Sequence, residues 1–563
     1  MPNPVAVNDL SPISGSLQTS RISYGVETAG KNYGQNFNSS YWYSDIPNNG
    51  QFYTIISDNY TANYYVSRSN AFGAYVEGGL PAVDEYSAPV FWITQGTSSL
   101  DVITIVNGLP DRVGQIPFNS GSQALNWVAS SSNYFAVGPD YYPQIDADNL
   151  ELYVHGNQII SYPTTGSTWY DISGQNNRFN LTNGPTYNTN GWINFDGSDD
   201  YAVAVNTTLP SAAASPFTLT AIARTSGGGS YQTVLGTGGL LSQIGFYSNN
   251  AFMYGRNGGG GGLLYTNGGT VTTGRFYHLT MTYNGSTATA YLNGVATQTG
   301  VNIGSNGGTN GVQILSTYTP ASAGEILTGD IAEALVYPKA LTAAEVAQNY
   351  YGGPIVTGSL SFMFDASNLV SYPRTGTTVY TLTGSVNGTL TNGTSFTPSD
   401  GGTFVFDGVD DFILLGSSIT PGNGNWTLSA WVRGYGGVVG NTSGGPVASG
   451  FGIFSTGGNY KILYANYDGS WNYNYGNTTL NPNEWYFLTW VNYTGNTMKM
   501  YVNGVADSSV FNSLTTNGGP VDAVGGTQGI PGGTFNGNIA LVQWNIGTAF
   551  TDAQVLQNYN ATK

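Results

Sequence analysis

The stretch FDGSDDY at residues 195–201 recurs as FDGVDDF at residues 406–412, in a chain of 563 residues of which only 8% are charged. Asp-Gly favours a tight turn, because glycine accepts a positive φ and the aspartate side chain bonds to nearby backbone N–H groups. The motif therefore predicts an acidic turn between two strands, written twice.

The heptapeptide is part of a longer duplication. Matching segments follow one another in the same order, at offsets from 208 residues (329 to 537) to 211 residues (195 to 406). Besides the heptapeptide, the pairs are SYPTTG and SYPRTG, LTNG and LTNG, FTLTAIAR and WTLSAWVR, FYHLTMTYNGSTATAYLNGV and WYFLTWVNYTGNTMKMYVNGV, and GDIAEALVYPKALTAAEVAQNY and GNIALVQWNIGTAFTDAQVLQNY. A unit of about two hundred residues is a domain, since solenoid repeats are far shorter.

Each copy alternates apolar and polar residues in short runs separated by glycine turns, which predicts antiparallel strands in an all-β fold. Asn284-Gly285 and Asn293-Gly294 should each close a hairpin, because Asn-Gly accepts the positive φ of a type I′ turn. Both copies then end in a capping box, Thr342 to Glu345 and Thr551 to Gln554, that predicts a short helix. We expect this helix to close one edge or end of each sandwich.

The composition excludes several classes of function. The formal net charge is −17, from 31 acidic and 14 basic residues, and the basic residues form no cluster. Nucleic acid is therefore not an expected partner. The chain has no cysteine for disulfides or thiolate sites, and no apolar run near the roughly 18 residues of a membrane span. No membrane insertion is expected.

Residues 1–145 lack the repeat, and their apolar runs read as strands. The predicted domains are therefore a mostly-β N-terminal domain at 1–145, one sandwich at 149–352 and a second at 359–563.

The duplicated unit resembles the laminin G-like branch of the concanavalin A-like lectin/glucanase superfamily. The resemblance rests on FMFDASNLVSYPRTG, WYDISG, LTNG, the two heptapeptides and the two QNY endings, and it covers 149–352 and 359–561. It implies two tandem jelly-roll sandwiches behind the N-terminal domain. It leaves function open, because that superfamily includes lectins, glycosidases and structural modules.

This variant of the unit is also similar to modules in structural proteins of tailed bacteriophages. The similarity implies a virion structural protein on the particle surface, of the tail-fibre, head-fibre or capsid-decoration type. Its N-terminal domain would attach to other virion proteins, its sandwiches would contact host-surface glycans, and it would form a homo-oligomer. The alternatives are an extracellular adhesin or carbohydrate-binding protein and, further off, a polysaccharide depolymerase.

The acidic turns are candidate metal sites. Hard oxygen ligands suit calcium, and the candidate ligands are Asp196, Asp199 and Asp200 in the first copy and Asp407, Asp410 and Asp411 in the second. The competing interpretation is turn chemistry, in which these aspartates cap backbone N–H groups. Two further acidic positions of the repeat differ between the copies, since Asp365 is matched by His155, and Asp171 by Thr381. Each copy has therefore lost a different carboxylate, which disfavours a metal site common to both and favours the second interpretation.

The second copy carries a candidate sugar site in NYDGSWNYNYGN at 466–477. Trp471, Tyr473 and Tyr475 alternate and should share one strand face, with Asp468 nearby to accept from hydroxyls. The same residues could instead be core or an interface between subunits. The first copy has NGGGGGLLYTNGG at 257–269 in this place, so a site here would belong to the second copy alone.

No catalytic function is expected. Glycosidases need two carboxylates at a set separation, and neither copy contains the alternating acidic strand that supplies them. The two histidines, His155 and His278, lie in strand-like runs and are interpreted as fold or surface residues.

Overall fold

The computed structural model describes residues 145–562 with short gaps, together with the backbone of five strands within 53–117. The gaps are 147, 159–160, 174–176, 206–214, 229–230, 238–241, 248–250, 258–262, 303–312, 317–324, 421, 443–448, 468–469, 495–496, 509–510, 513–519 and 527–532. Among the described residues no helix is long and apolar enough to cross a bilayer.

The N-terminal region contains one antiparallel sheet in which each strand pairs with the next along the chain. Its strands are β1 (Tyr53–Ser57), β2 (Asn63–Arg68), β3 (Val90–Thr94), β4 (Ser99–Val106) and β5 (Leu109–Pro117). A local, strand-by-strand order of this kind is what consecutive hairpins produce.

The first sandwich is built from sixteen strands in two eight-stranded sheets. They are β6 (Leu152–His155), β7 (Thr168–Tyr170), β8 (Arg178–Thr182), β9 (Thr186–Asn188), β10 (Trp192–Asp196), β11 (Tyr201–Val205), β12 (Phe217–Thr225), β13 (Tyr231–Thr237), β14 (Ser242–Tyr247), β15 (Ala251–Asn257), β16 (Leu263–Thr270), β17 (Tyr277–Tyr283), β18 (Ala288–Leu292), β19 (Val295–Val301), β20 (Gln313–Leu315) and β21 (Thr328–Tyr337).

Sheet 1A has the order β19-β18-β17-β12-β21-β10-β9, with β6 also paired to β21, and sheet 1B has the order β16-β15-β14-β13-β20-β11-β8-β7. Their facing sides bury one continuous apolar core that includes Trp169, Phe195, Leu219, Phe246 and Leu279, each fully buried. Alternate residues of each strand supply this core, as the period-two pattern predicts.

The second sandwich repeats the arrangement. Its strands are β22 (Leu360–Asp365), β23 (Thr378–Val379), β24 (Gly388–Thr391), β25 (Ser395–Thr397), β26 (Thr403–Asp407), β27 (Phe412–Ile419), β28 (Trp426–Gly440), β29 (Ser449–Thr456), β30 (Asn459–Tyr467), β31 (Trp471–Tyr475), β32 (Tyr486–Tyr493), β33 (Thr497–Val502), β34 (Val505–Ala506), β35 (Phe511–Asn512), β36 (Val521–Val524) and β37 (Asn536–Ile546), with a 3-10 turn at Ser399–Gly401. Phe451 lies at the centre of its core, with ring centroids 5.5 Å from Trp426, 5.6 Å from Trp490 and 5.7 Å from Trp544.

Strand β28 joins the two layers of the second sandwich. Its first part pairs with β32 and β37, and its last residues pair with β29 and β36. The layer that contains β22, β25, β26, β37, β32, β33, β34 and β35 is sheet 2A, and the layer with the order β23-β24-β27-β36-β28-β29-β30-β31 is sheet 2B. The strand bends at Gly434 and Gly436, with φ of 144° and 109°. A Cβ at Gly434 would lie 2.2 Å from the carbonyl oxygen of Asn536, so this crossing requires glycine.

The predicted hairpins form, but only one contains the predicted turn. Asn293 and Gly294 both have positive φ, 52° and 74°, as a type I′ turn requires. Asn284 does not, because its side-chain Oδ1 accepts from the backbone N–H groups of Ser286 and Thr287 at 2.9 Å each. This turn is therefore an Asx turn, in which the Asn284 side chain accepts hydrogen bonds from the backbone of the following residues.

Both predicted helices are present, as α1 (Ala343–Tyr351) and α2 (Asp552–Thr562). Thr342 and Glu345 form the predicted capping box, and Thr551 and Gln554 exchange the equivalent bonds at 3.0 and 3.3 Å. Helix α2 differs from the prediction in position, because it covers a sheet face and not an edge or end. Its Tyr559 packs on Trp431 and Phe487, whose side chains point away from the core of sheet 2A.

The chain divides into two compact units. The first contains Met1–Val137, Ala147–Leu292 and Ala296–Leu341, and the second contains Gly138–Asp146, Asn293–Val295 and Thr342–Lys563. Helix α1 therefore groups with the second unit, where the Tyr350 hydroxyl donates to the carbonyl oxygen of Leu382 at 2.7 Å.

One buried asparagine in each helix holds the chain segment that leads into a sandwich. Asn349 Oδ1 accepts from the N–H of Asp146 at 2.7 Å, and Asn558 Oδ1 accepts from the N–H of Val356 at 2.7 Å. Both asparagines are at most 5% exposed. The bond satisfies a backbone donor that neither the helix nor a sheet could pair.

Replacing Asn558 by alanine should lower the free energy of unfolding of the second sandwich by about 1–3 kcal/mol, since the N–H of Val356 then loses its partner in a buried place. Differential scanning calorimetry of the full chain measures this as a shift of one transition. Asn483→Ala, an exposed position in the same unit, is the control and should leave the transition in place. Equal shifts for both variants would show that the buried bond contributes nothing.

Candidate functional site

The two acidic turns each connect the layers of a sandwich. The first runs from β10 in sheet 1A to β11 in sheet 1B, and the second runs from β26 in sheet 2A to β27 in sheet 2B. A tight turn is needed here because the chain leaves one sheet and enters the other within a few residues. Gly197 and Gly408, both with φ of 80°, provide it.

The predicted turn chemistry is present in both copies. Asp196 Oδ1 accepts from the N–H of Ser198 at 2.8 Å, and Asp200 Oδ2 accepts from the N–H of Asp196 at 3.0 Å. In the second copy Asp407 accepts from Val409 at 2.7 Å and Asp411 from Asp407 at 3.0 Å. Two of the three aspartates in each turn thus hold the backbone in place.

The LTNG segment supports each turn from the side. Asn183 donates through Nδ2 to the carbonyl oxygen of Asp199 at 3.0 Å, and Asn392 donates to the carbonyl oxygen of Asp410 at 3.0 Å. Both asparagines have positive φ, 68° and 61°. The two sequence motifs that recur together are therefore in direct contact.

The carboxylates also gather into clusters that fit a cation. In each cluster the three aspartates bring one oxygen apiece to within 4.8 Å of one another. Burial raises the pKa of Asp411, the N–H of Asp407 lowers it, and the negative charges of Asp407 and Asp410 raise it further. The pKa of Asp200 is raised by the same balance of causes. A bound cation would offset this repulsion.

Asp411 differs from the other five aspartates in one respect. Asp200 and Asp411 are both 4% exposed, but of the six aspartates only Asp411 has a buried oxygen, Oδ1, that accepts no hydrogen bond from any residue in the described part of the chain. A buried carboxylate oxygen without a donor is costly unless something positive pairs with it. The donor set of the second cluster therefore fits calcium.

The divergent positions do not belong to these clusters. Asp171 accepts from the N–H groups of Tyr153, Ser173 and Asn177 at 2.8, 2.8 and 3.1 Å, so it is a backbone cap. In the second copy the Thr381 hydroxyl takes over part of this role by accepting from the N–H of Met363 at 3.1 Å. Asp171 and Thr381 both accept hydrogen bonds from the backbone, which explains why one can take the place of the other.

The histidines lie in one row on the outer side of sheet 1A, where His278 is buried and His155 is partly exposed. His155 is opposite Glu333, and Ile222 separates Glu333 from His278. Burial lowers the pKa of His278 to about 3 and raises the pKa of Glu333 to about 8, with His155 Nε2 3.6 Å from the Glu333 carboxylate. Glu333 was not among the residues that the sequence indicated, since it stands in an apolar run.

The predicted sugar site lies on the edge strand of sheet 2B. Among the described strands β31 pairs with β30 alone, which places Tyr473 opposite Ala465 and Tyr475 opposite Leu463. Both tyrosines lie on the outer side of the sheet, because the alternate residues of β30, Ile462 among them, point into the core. Asp468 lies outside the described residues, and of Trp471 only the backbone is described.

Tyr473 and Tyr475 form a stacked pair with ring centroids 6.4 Å apart and planes 25° apart. Tyr475 packs on a small apolar cluster of Phe454, Leu463 and Ala465, while Tyr473 is 41% exposed. One ring is thus packed on an apolar cluster, and the other is partly exposed. The predicted sharing of one strand face by these two tyrosines is confirmed, and sugar binding stays a prediction.

A second exposed tyrosine pair was not predicted. Tyr231 and Tyr247 are sixteen residues apart in sequence, and only the pairing of β13 with β14 brings them opposite each other. Their ring centroids are 4.7 Å apart. No sequence motif includes these two tyrosines, so their contact could be found only from the register of the strands.

Comparison with known proteins supports the fold. A laminin G-type family model described as concanavalin A-like lectin/glucanases superfamily matches residues 196–347 and 407–555, more than half of the chain. Each match begins at the first aspartate of an acidic turn. The predicted tandem laminin G-like domains and the predicted all-β fold class are thereby confirmed.

Solved structures show a more distant likeness. A sialidase from Trypanosoma rangeli is 13% identical with a TM-score of 0.30, over 55% of this chain and 61% of the sialidase. The botulinum neurotoxin serotype D binding domain is 10% identical with a TM-score of 0.31, over 72% of this chain and 98% of that domain. The chain thus spans less than two thirds of the sialidase. No curated protein matches the sequence.

Proposed function

Because the chain belongs to the concanavalin A-like lectin/glucanase superfamily, with two laminin G-like domains in tandem, we propose that it is an adhesive structural protein that presents lectin-like sandwiches to surface glycans. The observation that carries the proposal is the stacked pair of Tyr473 and Tyr475 on the edge strand of sheet 2B. Tyrosine faces stack on the apolar faces of sugar rings, and their hydroxyls stay available to polar groups.

The position of the pair suits contact with a large ligand. Within the described part of the chain β31 has a neighbouring strand on one side only, and such an edge is open to approach by a glycan chain. Because Tyr475 is packed, the platform loses little side-chain entropy when a ligand binds. Adhesion through such a platform needs no catalytic group, and we propose that the protein is not an enzyme.

The adhesive role fits a bacteriophage virion protein of the fibre or capsid-decoration type. In this proposal residues 1–145 attach to other virion proteins, the two sandwiches contact host-surface glycans, and the protein is a homo-oligomer on the particle surface. The acidic balance of the chain would limit non-specific contact with nucleic acid. An extracellular adhesin is the alternative, and a polysaccharide depolymerase is the third.

Electron microscopy of purified phage particles, labelled with an antibody to residues 1–145, tests the location. We expect label at a fixed place on the particle and in constant copy number. Label found only on free protein or on cell surfaces would favour the extracellular adhesin.

A glycan array probed with the full chain tests the adhesive site. Tyr473→Ala should weaken the best-bound glycan about tenfold, which corresponds to about 1.4 kcal/mol, because the exposed ring is lost. Leu556→Ala removes an apolar side chain of similar exposure on α2, 43% against 41%, and should bind as the parent does. Assay of the same wells for released sugar should find none. Release of sugar would favour the depolymerase.

We also propose that the acidic turns hold calcium, which the unpaired Oδ1 of buried Asp411 favours most. Asp407, Asp410 and Asp411 would hold one ion, and Asp196, Asp199 and Asp200 would hold another in the first copy. The ion would neutralise like charges and stabilise the turn between the two sheets.

Calcium should therefore raise the unfolding temperature of the full chain. At a free calcium concentration of a hundred times Kd, binding should add about 2.7 kcal/mol to the free energy of unfolding. The double variant Asp199→Asn, Asp410→Asn should lose this calcium-dependent rise in unfolding temperature. Both side chains are exposed, and the substitutions leave the hydrogen bonds of the turns intact. Asp148→Asn, another exposed carboxylate, is the control and should keep it. If the double variant keeps the full calcium-dependent shift, the turns do not bind calcium and their aspartates only cap backbone N–H groups.

A further inference from the structure

The first sandwich presents an aromatic pair on its outer surface. Tyr231 of β13 lies opposite Tyr247 of β14, with ring centroids 4.7 Å apart and planes at 41°. Ile244 and Phe246 of β14 belong to the buried core, so by alternation Tyr247 points away from it. Tyr247 is 41% exposed, the same fraction as Tyr473 in the second sandwich.

The residue next to Tyr247 on the same side of β14 carries no side chain. It is Gly245, where a Cβ would lie 2.0 Å from the carbonyl oxygen of Gln232. The close approach of β13 therefore demands glycine. One consequence is that β14 itself places no side chain between Tyr247 and Gln243, which lie on the same side of the strand.

That polar group is organised around one carboxylate. Glu325 Oε2 accepts from Gln243 Nε2 at 3.0 Å and from the Thr233 hydroxyl at 3.4 Å. The N–H of Thr233 donates to the carbonyl oxygen of Glu325 at 2.8 Å, which fixes the backbone as well. The carboxylate is thus held in place by an amide, a hydroxyl and a strand.

Glu325 is held in an unfavourable conformation. Its φ is 63°, in the left-handed region that residues with a side chain seldom adopt. Strain of this kind persists where the surroundings enforce it, and it is concentrated at functional sites. A glycine here would relax the backbone but would remove the carboxylate from the tyrosines.

Tyr231 and Thr233 are two residues apart on β13 and lie opposite Tyr247 and Gly245, so the carboxylate that Thr233 holds is on the same side of the sheet as the two rings. The pKa of Tyr231 is raised, first by partial burial, then by the hydrogen bond and charge of Tyr247, and also by the charge of Glu325. Two aromatic rings and a hydrogen-bond acceptor are therefore in one patch, and the buried amide of Gln243 holds the acceptor in place. This is the composition by which proteins bind sugars, with rings for stacking and polar groups for hydroxyls.

We infer that Tyr231, Tyr247 and Glu325 form a second glycan-binding surface, on the outer side of sheet 1B, that takes an uncharged pyranose. The rings stack on the sugar, and Glu325 accepts from its hydroxyls. The inference rests on the adhesive function proposed above and places a binding surface on each sandwich. Acidic sugars are disfavoured because their carboxylate would meet that of Glu325 in a chain of net charge −17.

The test uses full-length variants and an array of uncharged hexose oligosaccharides together with their sialylated counterparts. Tyr247→Ala should weaken binding of the uncharged glycans about tenfold, and Tyr247→Phe should retain most of it, because the ring remains. Glu325→Gln should weaken the uncharged glycans and strengthen the sialylated ones, since the repelling charge is gone. A purely structural tyrosine pair would not change the preference between charged and uncharged sugars.

Two comparisons keep the outcome distinct from that of the proposed function. If Tyr473→Ala loses binding while Tyr247→Ala and Glu325→Gln bind as the parent does, the second surface is wrong and the adhesive function stands. If the parent chain binds no glycan, both are wrong. A circular dichroism spectrum and an unfolding temperature equal to the parent's show that a loss is not misfolding. A variant that does not fold is replaced by Tyr231→Phe with Glu325→Gln, whose preference for charged sugars should shift in the same way.

Discussion

The alternation of side chains along antiparallel strands is the constraint on which the rest of this structure depends. Each strand must place every second residue in the interior between two sheets, and the aromatic packing around Phe451 shows how fully that interior is filled. The remaining residues face outward, and they are either covered by a helix or left for contact. Helix α2 covers one such face with Tyr559, and the tyrosines of β31 occupy another.

The duplication keeps this scaffold and varies what lies on it. Where the second copy buries Phe487 and Trp431 in neighbouring strands, the first has His278 and Ile222, next to Glu333, whose pKa is raised by burial. The outer surfaces differ in the same manner, since one sandwich exposes tyrosines on its edge strand and the other exposes them across two inner strands. A sandwich tolerates such changes because its core is supplied from the opposite side of each strand.

The acidic turns are a part of the repeat whose structure is the same in both copies. Each one must carry the chain from one sheet to the other, and each does so with the same glycine conformation, the same pair of aspartate caps and the same supporting asparagine. The gathering of three carboxylates is a by-product of that geometry, and it creates electrostatic repulsion that a divalent cation can relieve. Structure and ion binding are therefore compatible uses of one turn.

The sequence by itself determined the fold class, the duplication, the capping boxes and the acidic turns, because these depend on local patterns: strand period, glycine conformation and side chains that bond within four residues. It also placed Tyr473 and Tyr475 on one face, since they are two residues apart in a strand. Only the tertiary structure decided that α2 lies on a sheet face, that LTNG supports the acidic turn, that Asp411 keeps an unpaired oxygen, and that Tyr231 meets Tyr247 beside Glu325. These contacts join residues distant in the chain, and they are set by strand register and by packing between layers, which no local pattern encodes.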